Sequence, residues 1–600
     1  MTFPSSVEDC VRVPMAPEGS LSAETLQSIH VFLSKHGSSL SGQGLKALTA
    51  LLETLETGLN GGLEPVYYLS AIDPGMGKTL SVSLFLKVWK DRGYLPTSSV
   101  LIGVSRLEEI RAYVRTSGLD QADFGVFTSD KTLNALGVPQ DSLGAALILF
   151  TTQQMIESRT RNRPFSAASD FHFHEEPRTL RIWDESLVPG EPVSLSLDQL
   201  GQLATPLRHR HRAFVEAVEG LQETLRGAGA GQVIEVPETL AVLQPRRPPA
   251  AIASVVKTLV KMAGRKLLLV DGGNGAKALV GSARSLPEDF APTIILDASG
   301  RVRSTYGLWE QHRGTLRRLP AARNDYANLT IFLWQQASGK VTLENPVNRS
   351  RIANGIAQVI NYADEGEWLI VHYKGNRAIF DDVSAMVENR PSVRLHSLTW
   401  GQHHGRNDFA HIPNVVIVGQ LNYGKSAFHA LGAAASGLPA DQLADLEVGK
   451  VEWGEFQHNL LQALCRSSVR QSRSGKAGPC RAYIVTTGYA ETEARVAATF
   501  PNCRLWPWPS VAGPMAGRRG DLAEYFLRTF EDPEVQWVRK GCVCEDLSLN
   551  SSNLSALIRH PEFEDFLGRE HIFSEGQRFV KHRVSFEPWP GGGWVGGNDE

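Results

Sequence analysis

The sequence predicts an α/β chain with two parallel-sheet domains, a helical insertion in the first, and a small, mainly helical C-terminal module. Three observations lead there. Apolar runs at residues 100–104, 146–150, 368–371, 415–418 and 482–485 alternate with mixed, helix-like stretches, as parallel β-α-β units require. The run Val66-Tyr67-Tyr68-Leu69 leads into the Gly-rich turn Asp73-Pro74-Gly75-Met76-Gly77-Lys78-Thr79 and then into residues 80–86, a strand–loop–helix order. Between about residues 187 and 262 the alternation stops and long polar helical stretches replace it.

Six hundred residues exceed one core and suggest three or four domains. Apolar residues at 42% and charged residues at 21% are ordinary for a soluble globular chain. A net charge of -3 excludes a global basic field, so a polyanionic partner needs a local groove. The six cysteines are mostly well separated, which argues for a reducing compartment and against a disulfide framework. Cys542 and Cys544 are too close together, with no second pair nearby, to predict zinc. No leader-like N-terminus and no run of 18 apolar residues are present, so the expectation is a cytoplasmic protein without membrane association.

In chain order, residues 1–60 read as a polar start followed by a helix whose Leu45, Leu48, Leu52, Leu55 and Leu59 form one apolar stripe. The first domain spans 61–327. Its insertion, 187–262, holds the basic cluster Arg208-His209-Arg210-His211-Arg212, which suits a solvated helix face at least as well as a phosphate. The α/β pattern is expected to resume at residues 267–270 and 293–296, and the second domain spans 328–505. Trp506-Pro507-Trp508-Pro509 reads as a rigid connector. The accessory module, 506–586, offers helix-start residues at Asn550-Ser551-Ser552-Asn553 and a winged-helix-like contact for DNA or a protein partner. Residues 587–600 read as a flexible tail.

The chemistry starts at the Gly-rich turn. Backbone N–H groups and a helix N-terminus surround a phosphate there, so Asp73 to Thr79 form the candidate ATP loop. Lys78 would reach the β- and γ-phosphates and the Thr79 hydroxyl would hold Mg²⁺. Ile72 stands where such loops usually open with glycine. Behind the loop, the apolar run 180–183 ends in Asp184-Glu185, an acidic pair at a strand's carboxyl end. Asp184 is the metal candidate and Glu185 the base that deprotonates attacking water.

With these residues in place, the chain resembles the superfamily 2 DEAD/DEAH-like helicases over about residues 60 to 490. The resemblance implies two RecA-like domains, with Mg-ATP between them and nucleic acid, DNA favoured over RNA, across their top. Thr151-Thr152-Gln153-Gln154 is similar to a backbone-contacting element, which makes Thr152 and Gln154 nucleic-acid candidates. Leu296-Asp297-Ala298-Ser299 resembles the coupling element, with Ser299 as a contact. In Gly405-Arg406-Asn407-Asp408-Phe409 the resemblance assigns Arg406 and Asn407 to nucleic acid and Asp408 to ATP. Gln462, Arg466 and Arg470 fall in its final catalytic element, and as helix residues four apart the two arginines would share a face. Leu187 replaces the residue that ends the acidic element in RNA helicases, Gly405 and Arg406 are reversed in order, and Cys465 and Val469 replace a glycine and an arginine. The implied activity is nucleic-acid-dependent ATP hydrolysis driving translocation or unwinding. Rival readings are a ring-forming ATPase that remodels proteins and a nucleotide-sensing binding protein.

Overall fold

The computed structural model describes residues 19–581 apart from 95–96, 273–275, 364, 389, 402–407, 488, 509–516, 531, 533, 561–562, 564–565, 568–569 and 571. The chain divides into two compact bodies, one of residues 1–340, 365–377 and 391–506, the other of 341–364, 378–390 and 507–600.

The first body holds both parallel sheets. Seven strands form the first, in the order Leu316–Arg318, Tyr67–Ser70, Thr293–Leu296, Leu180–Asp184, Val100–Val104, Ile148–Thr152 and Phe124–Phe127, every pairing parallel. Alternate residues point to opposite faces, and both faces are covered. Leu101, Leu149, Trp183 and Ile295 pack on one side, while Ile102, Phe150, Ile182 and Ile294 pack on the other. Burial on both sides is why these strands read as continuous apolar runs. Six strands form the second sheet, in the order Val393–Thr399, Gly366–His372, Asn414–Val418, Cys480–Thr486, Leu329–Gln335 and Arg504–Pro507. Its described registers are parallel.

Two helices precede the first sheet. Helix α2, Gly42–Leu59, is capped by Ser41 and buries Leu48, Leu51, Leu52, Leu55 and Leu59, whereas Leu45 is exposed. Helix α1, Leu21–Lys35, is capped by Ser20 and occupies what the sequence presented as a polar start. It buries only Leu21, Ser22, Thr25 and Ile29, too narrow a stripe to announce itself.

The insertion contains more than helices. Strands Gly190–Ser196, Lys277–Arg284, Lys266–Asp271 and Val233–Glu235 form a four-stranded antiparallel sheet in that order. Helices Arg212–Gly227 and Ala253–Met262 pack on one of its faces. Residues 267–270 therefore belong to this sheet and do not mark a return to the parallel one. Leu267 and Leu269 enter the insertion's core, while Leu268 and Val270 pack on Ala430 and Ala433 of helix Lys425–Ser436. A strand covered on both faces shows no alternation, so its pattern does not distinguish the two kinds of sheet.

The second body includes helices Pro346–Tyr362 and Ala378–Met386, joined by the Arg349–Asp382 ion pair at 2.7 Å. Its C-terminal part runs helix Arg518–Thr529, strand Trp537–Arg539, helices Lys540–Asp546 and Ser551–Ile558, then strands Ile572–Glu575 and Arg578–Lys581. The last strand is central in the resulting antiparallel sheet, and Phe526, Phe563 and Phe579 share its core. Residues 587–600 lie outside the described residues. No described helix is long and apolar enough to cross a membrane.

Candidate functional site

The Gly-rich turn forms a left-handed loop that ends at the N-terminus of helix α3, Lys78–Asp91. Gly75 and Gly77 have φ of +81° and +94°. A Cβ at Gly75 would stand 2.0 Å from the Arg470 carbonyl oxygen, so both conformation and close approach require glycine there. The Lys78 ammonium donates to the main-chain oxygens of Ile72 and, at 3.3 Å, Asp73. Burial lowers its pKa, opposed by the carboxylates of Glu185, Asp73 and Asp184. Thr79 is exposed to the cavity beside it.

Strand Leu180–Asp184 delivers the acidic pair. The buried Asp184 carboxylate accepts the Tyr113 hydroxyl at 2.6 Å, and its carbonyl accepts Gln153 Nε2 at 2.6 Å. Glu185 has a φ of +89°, a left-handed backbone unusual for this residue type. Its N–H donates to the Leu296 carbonyl at 3.2 Å. Burial raises the pKa of both carboxyls, opposed chiefly by Tyr113 at Asp184 and by Arg466 at Glu185. Glu109, from the helix Leu107–Ser117, is pushed up to about 8 by burial and then by the charges of Asp184 and Glu185.

The facing wall comes from the second sheet domain. Gln462 Nε2 lies 3.5 Å from Glu185 Oε2, and Arg466 Nη2 donates to Gln462 Oε1 at 2.7 Å. Burial, then the neighbouring Arg470, lowers Arg466 to about 10, which leaves it charged at neutral pH. The two arginines do not share a helix. Helix Val448–Leu464 ends before Arg466, and Arg470 closes a separate 3-10 turn started by Ser467. Both still line a cavity of about 430 Å³ together with Lys78, Thr79, Asp184, Glu185 and Gln462.

Other expected residues stand elsewhere. The Asp73 side chain turns away from the cavity and accepts from Arg301, the Tyr326 hydroxyl and the Asn324 N–H. Ser299 is fully buried, donating to Asp297 at 2.7 Å and bonding His458 Nδ1 at 2.7 Å, so in this state it offers no surface to a polymer. Thr152 caps the helix Gln153–Thr160, and Gln154 is exposed at its start. Asp408 is exposed and is not part of the cavity lining. Arg406 and Asn407 lie outside the described residues.

Several residues around the site, unlike Gln462, were not singled out from the sequence. Tyr113 and Gln153 orient Asp184 from segments distant in the chain. On helix Val448–Leu464, Glu455 binds Arg303, His458 binds Ser299 and Gln462 approaches Glu185. Their spacing of three and four places them on one helix face, a polar stripe toward the first domain. That stripe was the available clue.

No family model and no curated protein matches the chain. Solved structures similar to it include S. tokodaii Xpd4, at 12% identity, with 76% of this chain and 98% of that one covered and a TM-score of 0.42. S. cerevisiae Dbp5 bound to RNA and ADP BeF3 matches at 11% identity, covering 82% and 97%, with a TM-score of 0.35. The Mycobacterium smegmatis helicase Lhr bound to ssDNA and AMP-PNP matches at 12% identity, with 94% of this chain against 60% of that one and a TM-score of 0.29.

The chain has two parallel-sheet domains. In the first, the strand before the phosphate loop and the strand of the acidic pair flank Thr293–Leu296. The donor set fits a magnesium triphosphate. An ammonium resting on main-chain oxygens, left-handed glycines at a helix start and two buried carboxyls of raised pKa all favour a polyanion with its cation. Thr79 and Asp184 are the residues that would hold the metal.

Proposed function

We propose that the chain is a nucleic-acid-dependent ATPase of helicase type, which couples hydrolysis of Mg-ATP between its two sheet domains to movement on, or opening of, DNA (or RNA). One observation carries this reading: groups suited to holding and cleaving a triphosphate reach a single cavity from both domains. Lys78 and the loop N–H groups bind the phosphates. Thr79 and Asp184 would hold magnesium, which would supply positive charge against the phosphate oxygens. Glu185 takes the proton of the attacking water, with Gln462 beside it. Arg466 and Arg470 offer guanidinium charge to the γ-phosphate as it departs, and only while the cleft is closed. The polymer bridges the two domains, with Gln154 as a candidate contact, and favours that closed cleft. The C-terminal body supplies a further contact with DNA or with a protein partner.

A ring-forming remodeller would draw its arginine from a neighbouring subunit, whereas Arg466 and Arg470 reach the cavity from the same chain. The test is ATP hydrolysis measured with no polymer, single-stranded DNA, duplex DNA and RNA in turn, with Lys78→Ala as the inactive control. Stimulation by single strands is expected. A rate indifferent to every polymer, together with ATP-dependent ring assembly, would sink the reading.

A further inference from the structure

The cavity has a second half that the phosphate chemistry leaves unused. Beyond the loop it is walled by Ile29, Phe32 and Leu33 of helix α1, by Leu40 in the turn between the helices, and by Leu48 of helix α2. Phe32 is 37% exposed, and the His36 ring lies against it with centroids 4.4 Å apart. The turn itself bridges the two domains. Ser39 Oγ meets Ser474 Oγ at 2.9 Å, and the Ser474 N–H donates to Ser38 Oγ at 3.1 Å. Gly475 sits so near that a Cβ there would be 2.8 Å from the Ser41 Cβ. A triphosphate on the loop has its nucleoside to place, and this apolar wall lines the same cavity.

We propose that α1, α2 and their serine turn form a nucleobase subsite that accepts adenine and guanine alike, so that the chain binds and hydrolyses both purine triphosphates. The inference rests on the ATPase reading above. An apolar wall with one aromatic ring takes any base by its π-face, and a purine offers more area than a pyrimidine. Discrimination requires fixed donors or acceptors at the base edge. Among the described residues of this half, the polar side chains include the hydroxyls of Ser38, Ser39 and Ser474, whereas Ser41 caps α2 and Ser472 donates to Asn324. A hydroxyl rotates to donate or accept, so it meets the 6-amino group of adenine and the 6-oxo group of guanine equally well. The serine turn also spans both domains, so a bound base is held where the cleft closes.

The test uses the full chain, with calorimetric binding of ADP, GDP and inorganic tripolyphosphate alongside hydrolysis of ATP and GTP. The expected result is dissociation constants for ADP and GDP within about tenfold of each other, and similar kcat/KM for ATP and GTP, because hydroxyls do not rank the two bases. Phe32→Ala should weaken both diphosphates by about tenfold, the size of one lost stacking contact, and leave tripolyphosphate unchanged. Phe32→Trp should restore binding, which separates a stacking role from general damage. A preference above roughly 100-fold for either purine would overturn the inference, as the mark of a fixed hydrogen-bonding set. So would equal weakening of tripolyphosphate by Phe32→Ala, or no weakening of either diphosphate. If wild-type protein binds neither tripolyphosphate nor any nucleotide, the ATPase reading itself fails.

Discussion

Arg301 grips the carboxylate of Asp73 with two nitrogens, Nε at 2.7 Å and Nη2 at 3.2 Å, and the same guanidinium donates to the Thr499 carbonyl at 2.6 Å. Asp73 belongs to the Gly-rich loop and Thr499 to the second sheet domain. One arginine therefore fixes the loop and the facing domain together, and Tyr326 and Asn324 from the segment between the sheets bind the same carboxylate. The buried charge is satisfied from every side.

Asp73→Ala should accordingly cost about 3 kcal/mol of stability or more, because it leaves Arg301 largely buried without its counter-charge. Urea unfolding followed by circular dichroism measures it. A variant as stable as wild type would mean that Arg301 finds full compensation from the main chain of residues 498 and 499.

Glu185→Gln should bind ATP nearly as well as wild type, since Lys78, Thr79 and Asp184 remain, but hydrolyse it at least ~100-fold more slowly for want of a base. Filter binding and single-turnover hydrolysis separate the two effects. Loss of binding together with hydrolysis would show that Glu185 helps hold the metal.

Arg466→Ala should lower kcat at least ~100-fold with little change in KM, because its charge acts as the γ-phosphate departs. Arg470→Ala should do less, since it sits on the separate turn beside Gly75. The reverse ranking would make Arg470 the principal catalytic arginine.

Nucleotide-free protein should lose stability as pH rises from about 4.5 to about 8. Glu109 has an ordinary value of 4.5 and a folded value pushed up to about 8, so across that window the folded chain holds a proton that the unfolded chain has released. More protons bound in the folded state means stability falls with rising pH. Glu109→Gln keeps the acceptor that binds the Ser105 and Arg106 N–H groups and should flatten the slope. Thermal midpoints at pH 5 and pH 8 for the two proteins decide it. Equal slopes would place the origin of the effect elsewhere.

The Gly-rich turn, the acidic pair and the Gln462–Arg466 element stood out as candidates because each is a local string, and the structure brings all three to one cavity. The parallel strands were legible because burial on both faces leaves unbroken apolar runs. What the strings did not carry was direction. Asp73 sits inside the Gly-rich loop yet points away from the cavity, and only Arg301, 228 residues later in the chain, explains why. Ser299 reads as a polymer contact until His458 is seen against it. Tyr113 and Phe32 reach the site from helices whose sequences look like ordinary scaffolding. Such roles depend on long-range packing, which no short window contains.

The insertion leaves the first sheet and returns to it at one ladder rung, where Gly190 is paired with Arg284. Strands Leu180–Asp184 and Thr293–Leu296 are neighbours, Ile182 beside Ile294, with the whole insertion between them in the chain. For a nascent chain, joining them through an unstructured loop of that length carries a closure entropy that the insertion's own core removes. The insertion, with its own core, brings both ends together in register. A lesion in that core, such as Leu269→Asp, would surface as a misassembled first sheet, far from any residue that lines the cavity.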